Sequence, residues 1–291
     1  MSNFAWLLNL DAELELARLQ FEYVPRQKLL RQLAEYGQGS RALLGEQDVL
    51  LEAGAEPPPP GFVGRAWCPT PRALAHFAAL GIQPEPHPHA ELLRRVNHRL
   101  FAHELGGSLP AQQYFTEHEP LAALLRRAER PWLLKRPLAF AGRGQMRFYG
   151  PITEKQWSWL EVSLEQDGLI VEPLVTPMLE LCLHGFVWRD QHFELGRVCV
   201  QEVTERGVFR AVRLAVPGEI SEPEHLALLE SGERVARALA EASYFGPFGL
   251  DAHRHQLDGR VGFCALSEIN ARYTMGFAVG FPRHPRELLL T

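Results

Sequence analysis

Three lysines, Lys28, Lys135 and Lys155, stand against twenty-seven arginines, so basic surface positions are filled by arginine and a retained lysine calls for a specific reason. Lys135 lies in a run from Pro131 to Phe140 apolar enough to bury part of its stem, and it precedes the turn Ala141-Gly142-Arg143-Gly144-Gln145. An ammonium at the edge of a site is a point-charge ligand for phosphate, and glycines in the following turn let backbone N–H groups approach phosphate oxygens. A solvent-facing lysine beside an ordinary hairpin turn fits the same residues. Lys155, in the polar stretch Thr153-Glu154-Lys155-Gln156, has no comparable setting.

A second constellation is Leu266-Ser267-Glu268-Ile269-Asn270-Ala271-Arg272. On a strand, the two-residue spacing puts Glu268 and Asn270 on one face, with Ile269 in the core behind them. Carboxylate and amide oxygens are hard ligands suited to magnesium, which leaves coordination positions for nucleotide phosphates. Asp251 belongs to the preceding strand of a hairpin turned at Asp258-Gly259, from which it can reach the same ion. The exposed face of an edge strand is the plainer alternative. His87-Pro88-His89 and His253-Arg254-His255 carry no cysteine and no helical His-x-x-x-His pair, so zinc is not expected at either. His253, two residues after Asp251, can share its face.

The elements that must position these side chains follow from pattern. Phe4 to Leu10 reads as a buried strand, Gln27 to Tyr36 as a helix, and Asp48 to Leu51 and Gly64 to Cys68 as strands. Arg72 to Leu80 reads as a helix capped by Thr70-Pro71. This alternation predicts a small parallel α/β lobe over 1–90. A helix from Ala90 to about Leu105 opens the second unit, 91–291. There Trp132–Phe140, Met146–Tyr149, Leu169–Val175, Leu179–Val203, Phe248–His253 and Val261–Ile269 read as antiparallel strands. A helix from Ser221 to Ala242 begins with the capping box Ser221/Glu224.

With 291 residues, 46% hydrophobic and 22% charged, the chain can bury a substantial core. A net charge of −5 without a basic stripe argues against nucleic acid. No segment approaches the apolar length of a membrane span, and no secretory signal is evident at the start. The four cysteines, Cys68, Cys182, Cys199 and Cys264, show no CxxC pair, and three lie in apolar runs suited to buried free thiols. A reducing, cytoplasmic location is expected.

Taken together, these features resemble the ATP-grasp superfamily, with a preceding small α/β lobe. Lys135, the glycines Gly142 and Gly144, the hinge Ile170-Val171-Glu172-Pro173-Leu174, Asp251, and Glu268-Ile269-Asn270 occur in the family's order. Arg95 to Phe101 with Leu109-Pro110 is similar to the family's entry helix and Leu-Pro turn, with Arg99 where lysine is usual. The resemblance implies an α/β and α+β fold in which two antiparallel-sheet subdomains hold ATP between them. It implies that Arg99, Lys135, Gly142 and Gly144 meet phosphates, and that Glu172 and the backbone through Leu174 meet adenine. Glu180 would hold ribose, and Asp251, Glu268 and Asn270 the magnesium, for which manganese can substitute. Arg272 and Lys135 would stabilise the transferring phosphoryl group.

The activity so implied is an ADP-forming ligase that joins a carboxylate to an amine or other nucleophile through an acyl phosphate. A kinase-like phosphotransferase and a non-catalytic nucleotide-binding protein remain alternatives on the same fold. Partners would be small-molecule carboxylate and amine substrates, and a homodimer is left open. Arg189, Arg197, Arg210 and Arg213 are candidates to clamp the substrate carboxylate. Only fifteen residues follow Gly276, which leaves little room for a C-terminal helix or lid.

Overall fold

Phe4, Ala5 and Trp6 are fully inaccessible to solvent, as a parallel strand covered on both faces requires. They form β1 (Phe4–Leu7) in a computed structural model that describes residues 3–19, 23–25, 29, 33, 39–52, 56–127, 129–139, 143–203 and 209–281. Around β1, the strands β2 (Val49–Leu50), β3 (Val63–Ala66) and β4 (Gln83–Pro84) make a parallel sheet of order β2-β1-β3-β4. The expected helix Gln27–Tyr36 lies, apart from Leu29 and Leu33, outside the described residues. The short α1 (Ala12–Leu16) follows β1, and α2 (Pro71–Ala79) follows β3 with Pro71 in its first turn. Thr70 precedes α2, but its hydroxyl donates to Glu15 Oε2 at 2.7 Å instead of capping the helix.

The single helix expected from Ala90 to Leu105 is two, α3 (Ala90–Asn97) and α4 (Arg99–Glu104). His98 between them is extended, with ψ 130°, and its Nδ1 accepts from the Leu100 N–H at 3.2 Å, so one residue ends the first helix and caps the second. The Arg99 N–H goes to the Pro137 carbonyl at 3.1 Å. This break turns Arg99 out of the α3 path.

A four-stranded antiparallel sheet follows, ordered β5-β8-β6-β7, from β5 (Gln113–Phe115), β6 (Trp132–Lys135), β7 (Gln145–Phe148) and β8 (Leu169–Pro173). Two helices that the sequence reading did not include, α5 (His118–Arg126) and α6 (Glu154–Gln166), supply Leu121, Leu125 and Leu160 to its apolar face. Trp132, Leu134, Leu169 and Val171 complete that core. By alternation, Leu133, Lys135, Ile170 and Glu172 occupy the opposite face.

The larger antiparallel sheet runs β12-β11-β9-β13-β14, with β10 (Phe193–Leu195) also paired to β9. Its strands are β9 (Thr176–Val187), β11 (Cys199–Val203), β12 (Phe209–Leu214), β13 (Gly246–Leu257) and β14 (Arg260–Asn270). The helix α7 (Glu222–Glu241), with the Ser221/Glu224 capping box, lies across β9 and β14. Its Leu228, Val235 and Leu239 join Leu181, Leu183, Leu250 and Ile269 in a core that continues into the parallel lobe through Phe4 and Trp6. The turn between β13 and β14 has φ 50° at Asp258 and 75° at Gly259, the two left-handed residues a tight hairpin needs. A four-residue helix, α8 (Phe277–Gly280), closes the described chain.

Candidate functional site

Because α7 claims one face of the large sheet, alternation assigns Glu180, Cys182 and His184 of β9 to the other. Cross-strand pairing adds Cys199 and Gln201 from β11, opposite Cys182 and Glu180. It adds Asp251 and His253 from β13, again opposite Cys182 and Glu180, and Glu268 of β14 opposite Asp251. The middle of this sheet face is therefore lined by polar side chains. That is costly unless something occupies it.

At its centre, Asp251 accepts from Gln201 Nε2 at 2.6 Å and from Asn270 Nδ2 at 3.1 Å. Burial first, and then the Glu268 carboxylate beside it, push Asp251 up to about 7. Two carboxylates thus stand on adjacent strands where a hard divalent cation would relieve their repulsion, and Asn270, whose Nδ2 faces Asp251, would add its oxygen by turning its amide, so the side-chain types fit magnesium. Glu268 meanwhile receives both of its hydrogen bonds, each 2.9 Å, from Arg99 Nη2, and Arg99 Nη1 donates to the Arg136 carbonyl at 2.6 Å. Arg99 is thus placed by the α3–α4 break against a metal-ligand candidate. Arg272 donates to Asn270 Oδ1 at 2.9 Å and is ion-paired with Glu13 of α1, so its fork is anchored to the parallel lobe. Glu13 is buried, and that burial raises its pKa against the pull of Arg272.

Across the cleft, Lys135 and Glu172 form a largely buried ion pair on the free face of the small sheet. The two polar faces meet. His253 is held neutral down to about pH 4 by burial first, then by His255 and by the Lys135 ammonium. Glu180, in register with His253, is raised by burial. Glu172 sits at the hinge where β8 leaves the small sheet for β9, and the Leu174 N–H donates to the Pro131 carbonyl at 3.0 Å. An adenine contact through that N–H would first have to break this bond. Gly144 has φ 68°, and its carbonyl accepts from the Arg136 N–H at 2.8 Å; Gly142 lies outside the described residues.

The structure therefore places Arg99, Lys135, Glu172, Glu180, Asp251, Glu268, Asn270 and Arg272 on or beside the facing surfaces of the two antiparallel sheets. It does not bring in the proposed carboxylate clamps. Arg213 is tied to Glu202 and Glu219 on the α7 side of the sheet, because it stands opposite Val200, while Arg189, Arg197 and Arg210 are exposed. Glu13 and Gln201 were not foreseen. An acid repeated at Asp11, Glu13 and Glu15 in an otherwise apolar start was the available signal for the first, and Gln201, two residues from Cys199, had none of its own.

No protein-family model matches the sequence, and no curated protein matches it. Among solved structures, the chain is similar to N5-carboxyaminoimidazole ribonucleotide synthetase from Thermus thermophilus, at 20% identity and TM-score 0.52, over 93% of this chain and 72% of that one. It is similar to carboxyaminoimidazole ribonucleotide synthase from Aspergillus clavatus complexed with ATP, at 17% identity and TM-score 0.53, over 94% and 72%. D-alanyl-alanine synthetase A from Vibrio cholerae matches at 12% identity and TM-score 0.54, over 93% and 89%. The chain shares the ATP-grasp fold with these structures, a parallel α/β lobe followed by two antiparallel sheets. Among the described residues no helix is long and apolar enough to cross a membrane.

Proposed function

We propose that this chain is an ATP- and magnesium-dependent, ADP-forming ligase that joins a carboxylate to an amine through an acyl phosphate. The observation that carries the reading is the convergence of Asp251 and Glu268 on adjacent strands, with Asn270 beside them and Lys135 across the cleft. Asp251, Glu268 and Asn270 would hold the magnesium, whose role when bound is to neutralise charge on the phosphate oxygens. Lys135 would exchange Glu172 for phosphate, while Glu172, the hinge and Glu180 take the nucleoside. Asp251 gives up its proton as the site fills. Arg272, fixed by Glu13 and Asn270, presents an always-charged fork to the transferred phosphoryl group.

The substrate carboxylate oxygen attacks the γ-phosphorus and ADP leaves; the amine then attacks the acyl carbon, and phosphate leaves with the electron pair of the broken C–O bond. No side chain becomes a covalent nucleophile, and positioning and fixed charge carry the rate. The fold similarity to ligases, two of them acting on carboxyaminoimidazole ribonucleotide chemistry and one on alanine by their names, supports this over a kinase. A screen of amino acids and small acids in pairs, read as ADP and inorganic phosphate, tests it. Stoichiometric release of both products only when a carboxylate and an amine are present is expected, whereas ADP with a phosphorylated product and no free phosphate would establish the kinase instead.

A further inference from the structure

Cys182, His184 and Cys199 lie together on the same sheet face, and each offers a donor atom within 4.8 Å of the other two. Strand geometry makes this cluster. Cys182 and His184 are two apart on β9 and point the same way, and Cys199 of β11 stands directly opposite Cys182. All three are buried, with His184 only 1% exposed, and its Nδ1 has no hydrogen-bond partner. A buried polar atom left unsatisfied in a native structure calls for an explanation. Its direction supplies one. A methyl group built on Gly280 would stand 2.5 Å from His184 Nδ1 and 3.1 Å from Cys199 Sγ, so the ring nitrogen and the sulfur face the same small space.

We propose that Cys182, His184 and Cys199 form a binding site for a soft, thiolate-seeking ion of the zinc class, separate from the magnesium site. Two thiolates and one imidazole are the ligands such ions prefer over hard oxygen donors. Asp251, in register with Cys182, is already held by Gln201 and Asn270, so the site has three protein ligands and takes its fourth from water or a small anion. The Cys199 thiol makes a long 3.5 Å contact with the Arg197 carbonyl and interacts with Cys182 and His184 themselves, contacts that an ion held between the three would replace. On the other side, α8 wraps the cluster: His184 packs edge-on against Phe277, and Gly276 and Gly280 both lie against its ring. Metal binding would therefore tie β9 and β11 to the segment that follows Arg272.

The ion's presence is read without any substrate. Full-length protein purified under reducing, chelator-free conditions is analysed for bound metal, then stripped and titrated with cobalt(II) as a spectroscopic stand-in for zinc. About one equivalent of zinc, and a cobalt complex with a thiolate charge-transfer band in the near ultraviolet, are expected. Cys199→Ser should lose most of that band while Cys264→Ser, a buried thiol outside the cluster, keeps it. Because a variant could misfold, the wild-type melting temperature is also measured with and without chelator, and chelation should lower it. Reduced wild-type protein that holds no metal, gives no charge-transfer band and melts identically with chelator would overturn the site. So would a cobalt band that survives Cys199→Ser. A Cys182–Cys199 disulfide that forms in air, in protein that binds no metal once reduced, would show instead that the pair is a redox couple.

Discussion

On the small sheet the Lys135 ammonium already has its counter-ion in Glu172, whereas on the large sheet Asp251 and Glu268 stand side by side on neighbouring strands. The first arrangement is neutral as folded, so a phosphate must compete with a carboxylate to enter. In the second, burial first and then the neighbouring Glu268 carboxylate, itself paired with Arg99, keep Asp251 protonated to about pH 7, so a cation that enters can displace that proton. One wall of the cleft thus waits for an anion and the other for a cation. A magnesium nucleotide supplies both at once, and the contrast explains why two sheets are needed to hold it.

The largest effect should come from the cation wall. Glu268→Gln keeps the side-chain volume but removes a charge from the hard-ion site and weakens the Arg99 contact, so turnover should fall on the order of 10²-fold, the scale of losing one electrostatic stabiliser of a transition state. Phosphate release across a magnesium titration checks this. Curves that coincide with wild type would reduce Glu268 to a partner for Arg99.

On the anion wall, Lys135→Ala should weaken ATP binding by about tenfold or more, the loss of a charge-assisted contact, with the fold retained. Lys155→Ala, at an exposed position of α6, should leave affinity unchanged. Titration calorimetry of both variants separates a phosphate ligand from general electrostatics.

A smaller effect distinguishes the walls by pH. The Asp251 carboxyl loses its proton near pH 7 folded and near about 3.9 unfolded. The folded state therefore binds the extra proton in that window, and metal-free stability due to this group falls as pH rises through it. His253, neutral down to about pH 4, contributes the opposite slope, so the comparison must be with Asp251→Asn and not with pH alone. The melting-temperature gap should be near zero at pH 4 and favour the variant by pH 8, and magnesium with ATP should reverse it. A gap that does not change with pH would mean that folding does not raise the Asp251 pKa.

The smallest expected change is on the α7 side of the same sheet, where Arg254 donates to Glu224 at 2.6 and 2.7 Å and holds its carboxyl down to about 2. That pair contributes stability above the unfolded value of about 4.3 and loses it as pH falls toward 2. Arg254→Ala should cost about 1 kcal/mol at neutral pH, with the difference closing in acid, and should not alter nucleotide binding. Denaturant melts at the two pH values check it.

Much of this arrangement is legible in the residues. Spacing alone places Glu268 and Asn270 on one face, and scarcity singles out Lys135, because both signals are local. The Ser221 and Thr70-Pro71 helix starts and the Asp258-Gly259 turn are likewise written in a few adjacent positions. What was not legible depends on pairing between distant strands. Gln201 reaches Asp251 across β9, Glu13 arrives from the first lobe, and Cys182, His184 and Cys199 meet only once β9 and β11 are in register. The α3–α4 break was hidden for a similar reason. His98 leaves the helix because the Arg99 N–H is taken by Pro137, a contact with no sequence signature. Among the arginines considered as carboxylate clamps, Arg213 could not be assigned to a face without the register that puts it opposite Val200.

The most direct measurement is the affinity of a non-hydrolysable ATP analogue, by titration calorimetry, for wild type and Glu268→Gln with and without magnesium. Wild type should bind more tightly with magnesium, and Glu268→Gln should lose most of that gain while keeping the magnesium-free affinity, because Lys135 and the hinge are untouched. Wild-type binding that is indifferent to magnesium, or absent under both conditions, would contradict a nucleotide site built between the two sheets.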